Sequence, residues 1–210
     1  MLIPFTKILD KYKFMPTGVI HVGAHIGQEA EQYAFNGVER MIFIEANPEV
    51  YPRLKANIDR FPKALALNYF ISNKDGEILP FNISSNDGES SSSLPFGLHS
   101  EIHPDVTYEK TIDVITKRLD TLLVDDLAVD VNDYNFLNMD IQGTELPALE
   151  GLGTLLWKIR YAYLEVNTKE VYKGCALIDA VDNYMQKFGF TRKEMAWGAE
   201  GAWGDAIYLK

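Results

Sequence analysis

Short apolar, β-branched runs alternate with stretches of helical periodicity through the first third of the chain. Gly18-Val-Ile-His-Val22 and Met41-Ile-Phe-Ile-Glu45 have the pattern of strands buried on both faces. After the first, Ile26, Ala30, Tyr33 and Ala34 fall on one helical face and Gly37 supplies a stop. After the second, Asn47 is a good N-cap, Pro48 suits the first helical position, and Val50, Leu54 and Ile58 recur every fourth residue. This β-α-β-α order predicts a parallel sheet with right-handed crossovers.

Ala64 to Ile71 reads as a third strand, and a turn at Lys74-Asp-Gly76 leads to Glu77 to Ile83 as its hairpin partner. Ser84 to Ser93 is polar and aperiodic, a loop, and irregularity continues through 94–110 until Thr111 to Thr116 alternates like a strand. Tyr134 to Met139 is predicted as the fourth core strand. Thr144 is placed to cap a helix bearing Leu146, Leu149 and Leu152, with Pro147 in its first turn. Tyr161 to Val166 is the fifth strand, and Leu177, Val181, Tyr184, Met185 and Phe188 stripe the last helix. Phe190 to Met195 and Ala206 to Leu209 close the chain around a loop rich in glycine and tryptophan.

Length and composition narrow the picture. With 210 residues, 47% of them hydrophobic, the chain suits one domain, here 1–210, with 1–16 as a helical extension and 84–110 as a loop insertion. No run approaches the roughly 18 apolar residues of a membrane span, and the order of charges near Met1 is not that of a secretory signal. One cysteine, Cys175, leaves no internal disulfide, which fits a reducing, cytoplasmic setting. The formal charge of −10 argues against a nucleic-acid binder and favours a neutral or cationic small substrate.

The candidate chemistry starts at Gly23-Ala-His-Ile-Gly27, directly after the first strand. Its glycines permit a sharp turn, and the free N–H groups of a helix start would hold a carboxylate or phosphate. Glu45 ends the next strand, where a carboxylate accepts hydrogen bonds from ribose hydroxyls. Together they describe a nucleoside site. NAD and S-adenosylmethionine both satisfy it, but the second glycine of the dinucleotide fingerprint is replaced by His25.

Asp140, Glu145 and Glu165 stand at or near strand ends as candidate catalytic acids, each with a structural alternative as a turn or helix-start partner. Trp197 and Trp203 are placed to overhang an acceptor, or else to close the core. His99 and His103 invite a metal reading, but no third ligand is evident and no metal is expected.

Several segments carry a closer resemblance. Residues 18–28, Phe-Ile-Glu-Ala-Asn-Pro at 43–48, Asn73-Lys-Asp-Gly76, the serines at 90–93, and the run from Phe136 to Gly151 resemble the FkbM family of methyltransferases, most specifically in Asp-x-x-Gly-x-Glu at 140–145. The resemblance implies a class I methyltransferase fold: a Rossmann-like, mostly parallel seven-stranded sheet with an antiparallel C-terminal hairpin and helices on both faces. It implies O-methylation of a sugar, glycan or related small molecule with S-adenosylmethionine as cofactor. It assigns Gly23, Ala24 and Gly27 to the donor's methionine end, Glu45 to the ribose, Phe70, Ile71 and Ser72 to the adenine, and Asp140 to the reacting methyl. His21, His25 and Ala46 are counted with the donor site, and Ser93, Trp197 and Trp203 with the acceptor. The chain departs from the family pattern at His21, where an acid is usual, and at His25, where an asparagine is usual. The competing readings are a non-catalytic domain of the same fold and an NAD-dependent oxidoreductase.

Overall fold

The structure is a computed structural model that describes residues 1–198 and 201–210. Its strands are β1 (Gly18–Val22), β2 (Arg40–Glu45), β3 (Ala64–Asn68), β4 (Phe70–Ser72), β5 (Ile78–Ser84), β6 (Tyr108–Arg118), β7 (Phe136–Met139), β8 (Tyr161–Asn167), β9 (Thr191–Trp197) and β10 (Trp203–Leu209). Its helices are α1 (Phe5–Tyr12), α2 (Ala30–Phe35), α3 (Tyr51–Ile58), α4 (His99–Ile102), α5 (Leu119–Thr121), α6 (Glu145–Leu152) and α7 (Ile178–Gln186).

Seven strands form one sheet in the order β3-β2-β1-β7-β8-β10-β9. The first five run parallel, whereas β10 pairs antiparallel with both β8 and β9. This is the mostly parallel sheet with an antiparallel C-terminal hairpin that the resemblance implied. Its residues alternate between two cores, as the two-residue period of a strand requires. Val19, Met41, Phe43 and Phe136 pack against α1, α2 and α3, while Ile20, Ile42, Leu137 and Leu164 pack against α6 and α7. Such strands lose their apolar surface on both faces, at roughly 1.5–3 kcal/mol for each fully buried aliphatic side chain.

Several local expectations change. The first helix does not open at Gly23-Ala-His-Ile-Gly27, because Gly23, His25 and Gly27 all have positive φ and a right-handed helix cannot pass through them. It begins only at Ala30. Asn47 caps the helical turn that leads into α3, as expected: its Oδ1 accepts from Glu49 N at 3.0 Å and its carbonyl from Val50 N and Tyr51 N. Thr144 does not cap α6 by side chain; its hydroxyl donates to Ile141 O at 3.0 Å.

The predicted third strand splits in two. Asn68 Nδ2 donates to Glu45 O at 2.8 Å, ending the β3 ladder, and the chain re-forms as β4 in a separate sheet of order β4-β6-β5. Residues 78–84 are therefore not the hairpin partner of 64–71. The turn between them is held by β6, through Gly76 N to Thr116 O at 2.9 Å and Arg118 N to Asp75 Oδ1 at 2.8 Å, so β6 enters between the two strands. The 84–110 segment carries the short α4, and its serines Ser90, Ser91 and Ser92 are buried.

Helix α6 lies hard against the end of β4. A Cβ on Gly151 would stand 2.0 Å from Ser72 O. Alanine ordinarily stabilises a helix interior relative to glycine by up to about 1 kcal/mol, but here the backbone contact decides the sign. Gly151→Ala is expected to lower stability by about 1–3 kcal/mol, measured as a fall in urea midpoint at unchanged slope.

Candidate functional site

The carboxyl ends of β1, β2, β7 and β8 open into one cavity of about 430 Å³. This is where the crevice of an open parallel sheet lies. Segments 84–110, 171–172 and 203–205, together with Met1 and Leu2, complete its wall.

At the β1 end, Gly23 has φ +79°, and a Cβ there would lie 1.7 Å from Asp140 O. No other residue type fits. The turn folds back on Glu45, whose Oε2 accepts from His25 N at 2.8 Å and whose Oε1 accepts from Asn47 N at 2.7 Å. Burial raises the proton affinity of this carboxyl, and the two N–H bonds oppose the shift. His25 is locked at φ +47° with Nε2 3.0 Å from Asp87 O and Nδ1 3.0 Å from Gln28 Nε2.

The expected free N–H groups are not free. Gly23 N and Ala24 N both donate to Ile44 O at 2.9 and 3.0 Å, His25 N is taken by Glu45, and Gly27 N by Ala24 O at 2.7 Å. This turn braces the β2 end and does not present a row of donors to a phosphate.

His21 is buried beside the cavity. Asn138 Nδ2 lies 3.2 Å from its Nε2 and donates to it, which places the ring proton on Nδ1. Among the described residues that Nδ1 has no hydrogen-bond partner. Burial lowers the ring's proton affinity, so a neutral imidazole offers one unmatched N–H.

Around Asp140 the backbone leaves β7 through Gln142 and Gly143, both at positive φ. A non-glycine residue in this region is strained, and here three bonds hold it. Glu145 Oε1 accepts from Ile141 N at 3.0 Å and Gly143 N at 3.2 Å, and Ser92 Oγ donates to Gln142 O at 2.8 Å. The Gln142 amide then ties the wall together. Its Nε2 donates to Asp140 Oδ1 at 2.5 Å and Glu165 Oε2 at 3.1 Å, and its Oε1 accepts from the Tyr172 hydroxyl. Glu165 is pushed well above the ordinary carboxyl range, first by burial and then by the charge on Asp140, so it keeps its proton.

Beyond this wall, His99 Nε2 lies 3.0 Å from Ser90 Oγ, and the His99 ring stacks on Phe96 at 4.1 Å. Burial lowers the His99 proton affinity to about 4. Asp205 accepts from the Tyr163 hydroxyl and from Leu2 N at 2.6 Å.

Of the residues singled out in the sequence, His21, Gly23, Ala24, His25, Glu45, Ala46, Phe70, Ile71, Asp140, Glu165 and Trp203 line the cavity. Five do not. Gly27 packs beneath Leu54 and Ile58, Ser72 directs its carbonyl at Gly151, and Glu145 is spent on the 141–143 turn. Trp197 is 56% exposed away from the cavity, and the wall serines are Ser90 and Ser91 where Ser93 was expected. Gln142, Tyr172 and the Ser90–His99 pair were missed. The left-handed strain at Gln142 has no sequence signal, and His99 drew attention only as a metal ligand. Among the described residues no group of three His, Cys, Asp or Glu side chains is arranged for a metal ion.

The family model described as "Methyltransferase FkbM domain" matches residues 21–192. The 2-O-methyltransferase NoeI of Sinorhizobium fredii is 24% identical over 177 residues, 81% of this chain and 71% of that protein. The crystal structure of an FkbM methyltransferase from Methylobacillus flagellatus superposes with a TM-score of 0.55 at 16% identity, covering 92% of this chain. This chain spans 43% of that protein's length. A proposed tRNA (m1A22) methyltransferase of Streptococcus pneumoniae gives a TM-score of 0.53 at 12% identity, over 100% of this chain and 70% of the other. These likenesses show the fold.

The Glu145 clamp has a pH signature. Burial, then the Asp140 charge, raises its proton affinity from 4.5 to about 7. A carboxyl raised on folding contributes stability below its unfolded value and loses it as pH rises through the folded value. Glu145→Gln keeps an oxygen for both N–H groups and removes the ionisation. The variant is expected to gain about 1–3 kcal/mol on the parent between pH 4.5 and 8, and denaturant titrations at both ends of that window check it.

Proposed function

The chain belongs to the FkbM methyltransferase family, and from that premise we propose that it transfers a methyl group from S-adenosylmethionine to a hydroxyl oxygen of a sugar or related small polyol. The observation that carries the reading is the Glu45 carboxylate, fixed by two backbone N–H bonds and lining the cavity beside the Gly23 turn. Each carboxylate oxygen keeps a lone pair for one hydroxyl of a ribose diol.

The residues present suit the donor. Phe70 and Ile71 provide an apolar wall for the adenine, and the unmatched Nδ1–H of His21 suits the donor's carboxylate. That N–H satisfies a carboxylate where the family's usual acid would satisfy an ammonium. When bound, S-adenosylmethionine supplies an electrophilic methyl on a sulfonium.

The chain's own residues then position the acceptor and take its proton. Asp140, oriented by Gln142, would take the proton that the acceptor hydroxyl gives up. Glu165 is protonated and does not compete for that role; its O–H stabilises the charge beside it. Tyr172 holds the Gln142 amide so that its nitrogen faces both acids. O-methylation draws support from the activity named for the Sinorhizobium relative. A dinucleotide is disfavoured because the Gly23–Gly27 N–H groups that would hold a pyrophosphate are already bonded. The retained carboxylate pair weighs against a fold kept only for binding. A small acceptor is preferred to nucleic acid, since among the described residues no lysine or arginine lines the cavity. Among the described residues no helix is long and apolar enough to cross a membrane.

Calorimetry with S-adenosylmethionine tests the donor assignment. Glu45→Ala is expected to weaken binding about 10- to 100-fold, the worth of charge-assisted hydrogen bonds, while NAD shows no saturable heat. Tight NAD binding would overturn the reading. Asp140→Asn is expected to retain donor affinity and lose about 10²- to 10⁴-fold in turnover; loss of both together would make Asp140 a donor-site residue instead.

A further inference from the structure

The cavity wall carries six carboxyl side chains, Glu29, Glu45, Glu89, Asp140, Glu165 and Asp205, and among the described residues no lysine or arginine. Resting on the methyltransferase reading above, we propose that the acceptor enters as an uncharged sugar unit, already joined through a glycosidic bond, and not as a phosphate-bearing sugar carried on a nucleotide. Methylation would then follow glycosyl transfer, the class of reaction that supplies such a unit.

A phosphate needs clustered guanidinium or ammonium groups, or unspent backbone N–H donors. Among the described residues the wall's one ammonium, the Met1 amino group, stands 3.7 Å from Glu29 Oε1, and no cluster of cations or row of free N–H groups is provided. The N–H groups of Gly23, Ala24, His25 and Gly27 end on Ile44 O, Glu45 and Ala24 O. Of the four imidazoles, His21 and His99 are held neutral by burial, and both ring nitrogens of His25 face Asp87 O and Gln28. His103 is exposed at the mouth, and one imidazole does not offset the carboxylates in the same wall. A phosphate group would meet like charge in a partly desolvated space, where repulsion is strongest. The chain's net charge of −10 extends that repulsion to the approach.

The same wall is well supplied with neutral polar partners. Ser90 Oγ pairs with His99 Nε2 at 3.0 Å, and Ser91 lies beside it. The unpartnered, buried Nδ1 of His99 leaves the ring one further valence for a hydroxyl. Trp203 and Tyr172 add aromatic surface of the kind that packs on the C–H face of a sugar. Hydroxyl recognition is built into this side of the cavity, and phosphate recognition is not.

The test uses the full chain with tritium-labelled S-adenosylmethionine and two panels. One holds methyl glycosides of common hexoses and 6-deoxyhexoses; the other holds the same sugars as 1-phosphates and nucleoside diphosphates. The same ligands are examined by saturation-transfer NMR on protein loaded with S-adenosylhomocysteine. Label and saturation transfer are expected for neutral glycosides, with kcat/KM at least about tenfold lower for the phosphate-bearing partners. That gap should narrow near 0.5 M salt, where the screening length is only about 4 Å, and in Glu89→Lys. Equal or preferred use of the phosphate-bearing sugars overturns the proposal, as does a gap indifferent to both salt and Glu89→Lys. Donor binding without label transfer to either panel also overturns it, together with the sugar acceptor. Failure to bind S-adenosylmethionine at all would instead remove the methyltransferase reading on which it rests.

Discussion

The backbone contact between Gly23 and Asp140 sets the geometry of everything at this sheet edge. With the absent Cβ only 1.7 Å from the Asp140 carbonyl, the chains leaving β1 and β7 lie closer than any side chain permits. Asp140 N donates back to Val22 O at 3.0 Å, and Gly23 N and Ala24 N reach across to Ile44 O. Three strand ends are therefore joined by main chain alone. The turn after β1 and the turn after β7, to which the proposed reading gives the nucleoside and the reacting-side acid, are held at fixed separation, without relying on flexible side chains. Fixed placement of this kind is what an in-line displacement needs, since misalignment of reacting atoms is costly in rate.

Burial then gives chemically similar carboxyl groups different tasks. Glu45 and Glu145 are both buried, and both have their proton affinity raised by desolvation, yet each spends its oxygens on backbone N–H groups. The difference is orientation: Glu45 still borders the cavity, while Glu145 lies behind it as the brace of a strained turn. Among the described residues Glu165 accepts from the Gln142 side chain and from no backbone N–H, and it sits against Asp140, so it resolves the same desolvation by holding a proton. Environment alone thus sets carboxyl groups of the same chemistry to different tasks.

The sequence announced those parts of the molecule that obey a period. The core strands β1, β2, β7, β8 and β10 were visible as apolar runs, because both faces are buried and few polar residues interrupt the pattern, chiefly His21, Asn138, Glu165 and Asp205. Gly23, Glu45 and Asp140 were visible because they stand at strand ends, where a polar residue after an apolar run is conspicuous. What escaped detection depends on long-range contacts. The split of the third strand rests on Asn68 bonding to the end of β2, and the displaced hairpin rests on a turn that bonds to β6, forty residues further on. Trp197 and Trp203 looked equivalent, yet only Trp203 borders the cavity; a Cβ on Gly198 would lie 2.3 Å from the Trp203 ring, which shows how closely that indole is packed against the hairpin turn.

On the proposed reading, the donor and acceptor halves have different origins in the chain. The donor half is built from regular strands and their immediate exits. The acceptor half comes from the aperiodic 84–110 segment and the 171–172 turn, whose order is not loose. Ser84 N and Ser84 Oγ engage Ser91 Oγ, Ser90 N returns to Ser84 Oγ at 3.0 Å, and Asn82 and Ser92 exchange backbone bonds at 2.9 and 3.1 Å. Serine serves here as a small residue that can satisfy buried main chain from its own side chain, which allows an irregular segment to be packed inside the protein. A rigid wall made this way can vary in sequence without disturbing the sheet. Its charge and hydroxyl pattern, more than the fold beneath it, then selects the molecule that is methylated.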